Sequence, residues 1–108
     1  MQSQVKWRNL NPTASLMRQV THKLRRLERM AGAEASATVT LSGGMSHVPD
    51  AAIQAELVLS GPDLSARGHA TASTPLAALD AVLDRIERQL VKARQRPRRN
   101  RGGKAAGT

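Results

Sequence analysis

The sequence of 108 residues contains no cysteine, phenylalanine or tyrosine, and its single tryptophan is Trp7. Without cysteine, disulfide bonds, thiol catalysis and thiolate metal sites are excluded. With almost no aromatic residues, Leu, Val, Ile, Met and Ala must fill the interior, which favours a thin two-layer domain over one with a deep pocket. The longest run of bulky apolar residues, Leu57–Leu59, is far too short for a membrane span or a signal-peptide core.

The positive charge of the chain is unevenly distributed. Lys and Arg number 17 against eight Asp and Glu, which gives a net charge of +9. The stretch from Ala31 to Thr74 nevertheless holds four acids and one basic residue, Arg67, so the positive excess lies in the two flanking segments. Such segregation indicates a polyanionic partner, either nucleic acid or an acidic membrane surface.

Periodicity along the chain predicts the element order βαβββα. A strand over Gln4–Asn9 precedes a helix that Thr13 caps and Gly32 ends. Three further strands are predicted over Ala37–Leu41, Ile53–Leu59 and Leu64–Thr71, with a loop from Ser42 to Pro49. A second helix begins after Thr74 and ends at Pro97.

This order predicts an α+β fold with two layers. A four-stranded sheet would carry both helices on one face, as in double-stranded-RNA-binding domains, over residues 1–96. Beyond Pro97 no apolar periodicity remains, so residues 97–108 are predicted to be a disordered basic tail.

Helical geometry places basic residues opposite the apolar side of each helix. On the first helix the outer face holds Arg18, His22, Arg25 and Arg29, with Arg26 beside them, and on the last helix it holds Arg85, Arg88, Lys92 and Arg96. Asp80 and Glu87 are expected nearer the apolar side, where they would not cancel this charge, while Asp84 can pair with Arg88.

One basic helix face is commonly only solvated surface, but two matching faces favour phosphate binding. Like charges one turn apart repel, and both helices on one sheet face would bring the two basic faces side by side. Phosphates would relieve that repulsion, and arginine binds them with two parallel hydrogen bonds. With Trp7 on the apolar face of its strand, recognition of phosphate and RNA shape is expected instead of base stacking.

No enzyme, cofactor or metal site is predicted. His22, His47 and His69 lack the spacing of a metal site, and His22 lies within the basic face. Asp80, Asp84 and Glu87 interleave with arginines, so ion pairing explains them better than paired acid–base catalysis. Gly43-Gly44 lacks the lysine and hydroxyl residue of a phosphate loop, and no nucleophile motif or small-molecule site is present.

Several segments resemble the ribosome hibernation promoting factor and ribosome-associated inhibitor A family (the sigma-54 modulation protein family) in its short form. "LAALDAVLDRIERQLVK", Leu76–Lys92, is similar to the family's final helix, in which Ala-Ala-Ile-Asp is followed by Leu-Ile-Asp-Lys-Leu-Glu-Arg-Gln-Leu and a Lys. "RNL" at Arg8–Leu10, "KLRRLER" at Lys23–Arg29 and "AELVLSGPDLSA" at Ala55–Ala66 match the first strand, the first helix and the third and fourth strands.

The resemblance implies a protein that silences idle ribosomes. Since no targeting or membrane segment is predicted, a cytoplasmic location is expected, and the protein is expected to be monomeric off the ribosome. It would bind ribosomal RNA of the small subunit in the channel where messenger and transfer RNA meet. The family's RNA-contacting role carries over to Lys23, Arg26 and Arg29 on the first helix and to Arg85, Arg88 and Lys92 on the last. Arg8 joins the other basic residues as a candidate RNA contact.

Two alternatives stay open at the level of the sequence. The chain could be a general nucleic-acid-binding protein, or a basic amphipathic protein that lies on anionic membranes. Against the membrane alternative, the apolar helix faces lack Trp and Phe and are needed to cover the sheet.

Overall fold

The computed structural model describes residues 1–44, 47–48, 51–62 and 64–95. Its elements are β1 (Gln2–Arg8), α1 (Ala14–Ala31), β2 (Ser36–Gly43), β3 (Ile53–Ser60), β4 (Ser65–Ala72) and α2 (Pro75–Gln95). The predicted α+β class and the order βαβββα are confirmed. The tail predicted over residues 97–108 lies outside the described residues.

Side-chain caps explain where the two helices begin. The Thr13 hydroxyl accepts a hydrogen bond from the Leu16 N–H at 3.0 Å, and the Thr74 hydroxyl accepts one from the Ala77 N–H at 3.2 Å. Each bond satisfies a backbone donor that has no partner inside the helix. Gly32, with φ at 90°, ends α1 in a backbone conformation that favours glycine. These helix ends match those predicted from the sequence.

The sheet has the order β1-β2-β3-β4. β1 runs parallel to β2 across the α1 connection, and the other two pairs are antiparallel. The loop predicted to start at Ser42 is wrong at its beginning, because Ser42 and Gly43 still pair with Gln54 and Ile53 and belong to β2. This topology makes α1 and α2 run in the same direction on one face of the sheet.

The core lies between that face and the two helices and is aliphatic throughout. Its largest fully buried side chains are Leu24, Leu27, Leu41, Leu57, Leu59, Leu79, Leu83, Ile86, Val20, Val39 and Val82. On β4 the residues facing α2 are small: Ala66, Gly68 and Ala70. A Cβ atom on Gly68 would lie 3.5 Å from Ile86 Cδ1, so the small residues let α2 pack closely on this strand. Trp7 is half-buried against the same core.

Side chains of α2 also close the outer edge of β4. The Gln89 amide accepts a hydrogen bond from the Arg67 N–H at 3.3 Å and donates one to the Arg67 carbonyl at 2.9 Å. Arg85 donates a further bond to the His69 carbonyl at 2.6 Å. The unpaired backbone N–H and C=O groups of an edge strand can otherwise pair with a strand of another molecule. These bonds therefore both anchor α2 and protect the edge.

Gly43 lies in a tight contact at the end of β2. A Cβ atom there would be 2.7 Å from the Asn9 carbonyl oxygen and 2.7 Å from Leu10 Cδ2. Asn9 itself has a positive φ of 56°, so its backbone is held in a sparsely populated conformation. The Leu10 side chain can shift, but the Asn9 carbonyl cannot move without a change in the backbone conformation of Asn9.

We expect Gly43→Ala to lower the free energy of unfolding by about 1–3 kcal/mol, because the added methyl group overpacks this contact. Urea unfolding measures the change. Gly61→Ala is the matched control: its nearest neighbour atoms would be 3.5 Å away, on Ala35, and its expected effect is within about 0.5 kcal/mol. Equal losses in the two variants would contradict the steric argument.

Candidate nucleic-acid interface

One set of predicted contact residues forms a continuous basic surface. The α1 basic face consists of Arg18, His22, Arg25 and Arg29, all exposed on the side of α1 away from the sheet. Shallow depressions flank His22, and Arg18 lines both of them. Within the described part of the chain none of the four side chains has an ion-pair partner. The charge of the three arginines is therefore available to an external anion.

Two other predicted contact residues face the neighbouring helix instead. Lys23 Nζ lies 2.9 Å from Asp80 Oδ1, and Arg26 Nε pairs with Glu87 Oε2. These two pairs form an ion-pair seam between α1 and α2. The expectation that Asp80 and Glu87 leave the basic charge uncancelled is wrong, because the acids lie on the flank of α2 that meets α1 and neutralise two of its basic residues. Exposed pairs of this kind stabilise by about 0.2–1 kcal/mol each.

The basic residues of α2 differ in what they already bind. Arg88 pairs with Asp84 at 2.7 Å, as predicted from their spacing, although 75% of its side chain is exposed. Arg85 is also exposed and donates one bond to the β4 edge. Lys92 is exposed and has no ion-pair partner among the described residues, whereas Arg96 lies outside them. A guanidinium has five N–H donors, so a paired arginine keeps donors for phosphate.

The two basic helix faces do not merge into one surface. Asp80 and Glu87 lie on the flank of α2 that contacts α1, while Arg85 lies on the flank that contacts β4. The ion-pair seam therefore separates the α1 basic face from the basic residues of α2. A ligand that touches both must cross this seam.

Arg8 lies on the opposite side of the molecule. In the β1–β2 register Trp7 pairs with Leu41, which is fully buried under the helices, and Arg8 pairs with the next residue, Ser42. Neighbouring residues of a strand point to opposite faces, so Arg8 projects from the face without helices. Lys6 shares that face, and so does Arg67 on β4. Arg67 was not among the predicted contacts.

Nothing in the described residues forms a metal centre. No group of three or more His, Asp or Glu side chains is placed to hold an ion there. His22 lies in the α1 basic face, His69 is exposed on β4 and His47 is exposed between β2 and β3. In the same residues no helix is long and apolar enough to cross a bilayer.

The ion-pair seam makes a prediction about stability. Asp80→Lys places two positive charges together and is expected to lower the free energy of unfolding by about 1 kcal/mol. Adding Lys23→Asp restores opposite charges and should recover most of the loss in urea unfolding. Asp84→Lys is the control, since its partner Arg88 lies on α2 and Lys23→Asp should not rescue it. A charge-swapped pair no more stable than Asp80→Lys would show that the seam does not join the helices.

The comparisons with known proteins agree with this fold. The Thermus thermophilus Protein Y N-terminal domain is similar with a TM-score of 0.70 and 29% identity, over 86% of this chain and 99% of that one. A ribosomal subunit interface protein from Coxiella burnetii gives a TM-score of 0.70 at 14% identity, over 89% of this chain and 100% of that one, a likeness of fold. The search of curated proteins found no match.

A family model settles the relationship. The model described as Sigma 54 modulation protein / S30EA ribosomal protein matches residues 3–98. This confirms the resemblance inferred from the final helix, and it agrees with the interpretation that the chain is a binding factor and not an enzyme. The chain belongs to the Sigma 54 modulation protein / S30EA ribosomal protein family of ribosome-associated factors.

Proposed function

We propose that this chain is a cytoplasmic hibernation factor that inhibits translation by binding the small ribosomal subunit. It would occupy the channel where messenger and transfer RNA meet and contact ribosomal RNA through its basic helix surfaces. Off the ribosome it would be a monomer. The observation that carries the proposal is the α1 basic face, whose four side chains are exposed and free of ion pairs in the described residues. Family membership supplies the ribosome as the partner.

The spacing of the α1 basic face fits a phosphate backbone. Arg18, His22, Arg25 and Arg29 follow one another at four, three and four residues and therefore line one side of the helix. Repulsion between the three arginines destabilises the free protein, and bound phosphates relieve it. Each arginine can also bind a phosphate with two hydrogen bonds, which fixes position as well as supplying attraction.

The remaining predicted contacts take a secondary part. Four of them already have an internal partner: Lys23, Arg26, Arg85 and Arg88. They would contact RNA through side-chain N–H groups that those partners do not use. Lys92 has no such constraint among the described residues and extends the contact along α2. Arg96 and the proposed basic tail over residues 97–108 would add attraction that does not depend on sequence.

We propose that the protein recognises the phosphates and the shape of RNA and not its base sequence. Trp7 is half-buried against the core, so no aromatic side chain is presented for base stacking. The α1 basic face carries no Asn or Gln in its row to read adenine edges. The apolar residues of both helices cover the sheet, which disfavours the membrane alternative.

Co-sedimentation with purified small ribosomal subunits tests the proposal. We expect wild-type protein to bind at low salt and to be released as salt rises, with log affinity changing by roughly −0.7 to −0.9 per phosphate contact for each unit of log salt. Arg18→Gln/Arg25→Gln removes two contacts and should make the slope shallower by roughly 1.4–1.8. Inhibition of translation in a cell extract should weaken in parallel.

Ala33→Glu/Ser73→Glu is the matched control for this experiment. It lowers the net charge by the same amount at two exposed loop positions outside the helix faces, and its salt slope should equal that of wild type. Urea unfolding should show that all three proteins are folded. Wild-type protein that stays out of the subunit fraction at low salt, or that binds any duplex equally well, would instead favour general nucleic-acid binding.

A further inference from the structure

We propose that the sheet face opposite the helices is a second RNA-contacting surface, so that the domain lies between two segments of RNA. We call this face the open face. The inference rests on the proposed function, because it extends the same RNA contact to the other side of the molecule. It begins from the position of Arg8, which cannot reach any ligand bound to the α1 basic face.

The strand register defines which residues share the open face. Three of its rows, read from β1 to β4, are Gln4-Thr38-Val58-Arg67, Lys6-Thr40-Glu56-His69 and Arg8-Ser42-Gln54-Thr71. Val58 is the one aliphatic side chain in these rows. Every other member carries a hydroxyl, an amide or a charged or titratable group. The surface is therefore polar across all four strands, with Ser42 the one buried member of these rows.

Positive charge lies at the two edges of this face. Lys6 and Arg8 project from β1, and Arg67 projects from β4, three strand spacings away, or roughly 14 Å. All three side chains are exposed, and none has an ion-pair partner within the described ranges. A polyanion that spans the face can therefore meet cations at both edges.

The chemistry of the face selects RNA over a protein partner. A stable protein interface needs a buried apolar centre, and Val58 alone does not provide one. Hydroxyl and amide side chains between cations at the two edges instead match a ribose–phosphate backbone, with phosphates at the edges and sugars in the middle. The wide, shallow minor groove of an RNA helix displays 2′-hydroxyl groups to such a surface.

Glu56, at the centre of the face, adds a preference for ribose. Glu56 is exposed, and its neighbours in the strand register are Thr40 on β2 and His69 on β4. A carboxylate repels phosphate but accepts a hydrogen bond from a 2′-hydroxyl. The sugar of DNA has no hydroxyl at that position, so Glu56 should disfavour DNA on the open face.

Two opposed surfaces require two RNA segments. The α1 basic face and the open face are separated by the helix layer and the sheet, so one straight RNA duplex cannot contact both. A protein held from both sides needs both surfaces for full affinity. Loss of either should then weaken binding to an intact subunit.

Binding to purified small subunits across a salt series tests the second surface. Arg8→Gln/Arg67→Gln removes one cation from each edge and is expected to reduce the salt slope by roughly 1.4–1.8, as two lost phosphate contacts should. Ala33→Glu/Ser73→Glu, with the same loss of net charge, should leave the slope unchanged. Urea unfolding should show that both variants are as stable as wild type.

The outcomes separate this inference from the proposed function. If Arg8→Gln/Arg67→Gln binds like the control while Arg18→Gln/Arg25→Gln is weakened, the open face does not contact RNA and the proposed function stands. If wild-type protein fails to bind subunits, the proposed function is wrong, and a short RNA duplex becomes the probe. If Arg8→Gln/Arg67→Gln and Ala33→Glu/Ser73→Glu bind that duplex with equal affinity, the open face does not contact RNA and the inference is wrong.

Glu56→Gln tests the preference for ribose. We expect the ratio of affinities for an RNA duplex and a DNA duplex of the same sequence to fall, because a neutral amide oxygen accepts the 2′-hydroxyl hydrogen bond less strongly than a carboxylate and only RNA carries that hydroxyl. Arg18→Gln/Arg25→Gln is used as the background so that the open face dominates the measured binding. An unchanged ratio would remove Glu56 from RNA recognition.

Discussion

The close packing of α2 on β4 is the contact on which the rest of the structure depends. Ala66, Gly68 and Ala70 leave room on the strand, and Val82 and Ile86 fill it from the helix. A chain with so few large side chains cannot bury enough apolar surface unless its layers approach closely. This approach also sets the position of every polar group on α2, from the seam with α1 to the edge of β4.

The same packing sorts the polar side chains into surfaces with different roles. The flank of α2 toward α1 supplies acids to the ion-pair seam, and the flank toward β4 supplies Gln89 and Arg85 to the strand edge. Within the described residues the α1 basic face is left without ion-pair partners, and no helix or strand covers the open face. Basic residues that the sequence alone does not distinguish thus fall into two groups. Some form contacts within the domain, and others can bind a ligand.

Much of the fold could be predicted because its signals are local. Thr13 and Thr74 as caps, Gly32 as the helix end and the alternation in the strands depend on neighbours in sequence. The pairing of Asp84 with Arg88 is local in the same way. The partners of Asp80 and Glu87 were missed because they lie on another helix, and helical periodicity shows which face a residue occupies without showing what lies opposite.

The closed edge of β4 has a consequence for self-association. Sheets extend into fibrils when both outer strands can accept another copy, since each added chain then offers a new free edge. In this domain Gln89 and Arg85 occupy one edge, and β1 pairs with β2 alone in the described residues. Strand pairing between copies through β1 would therefore end at two chains and could not continue into a fibril.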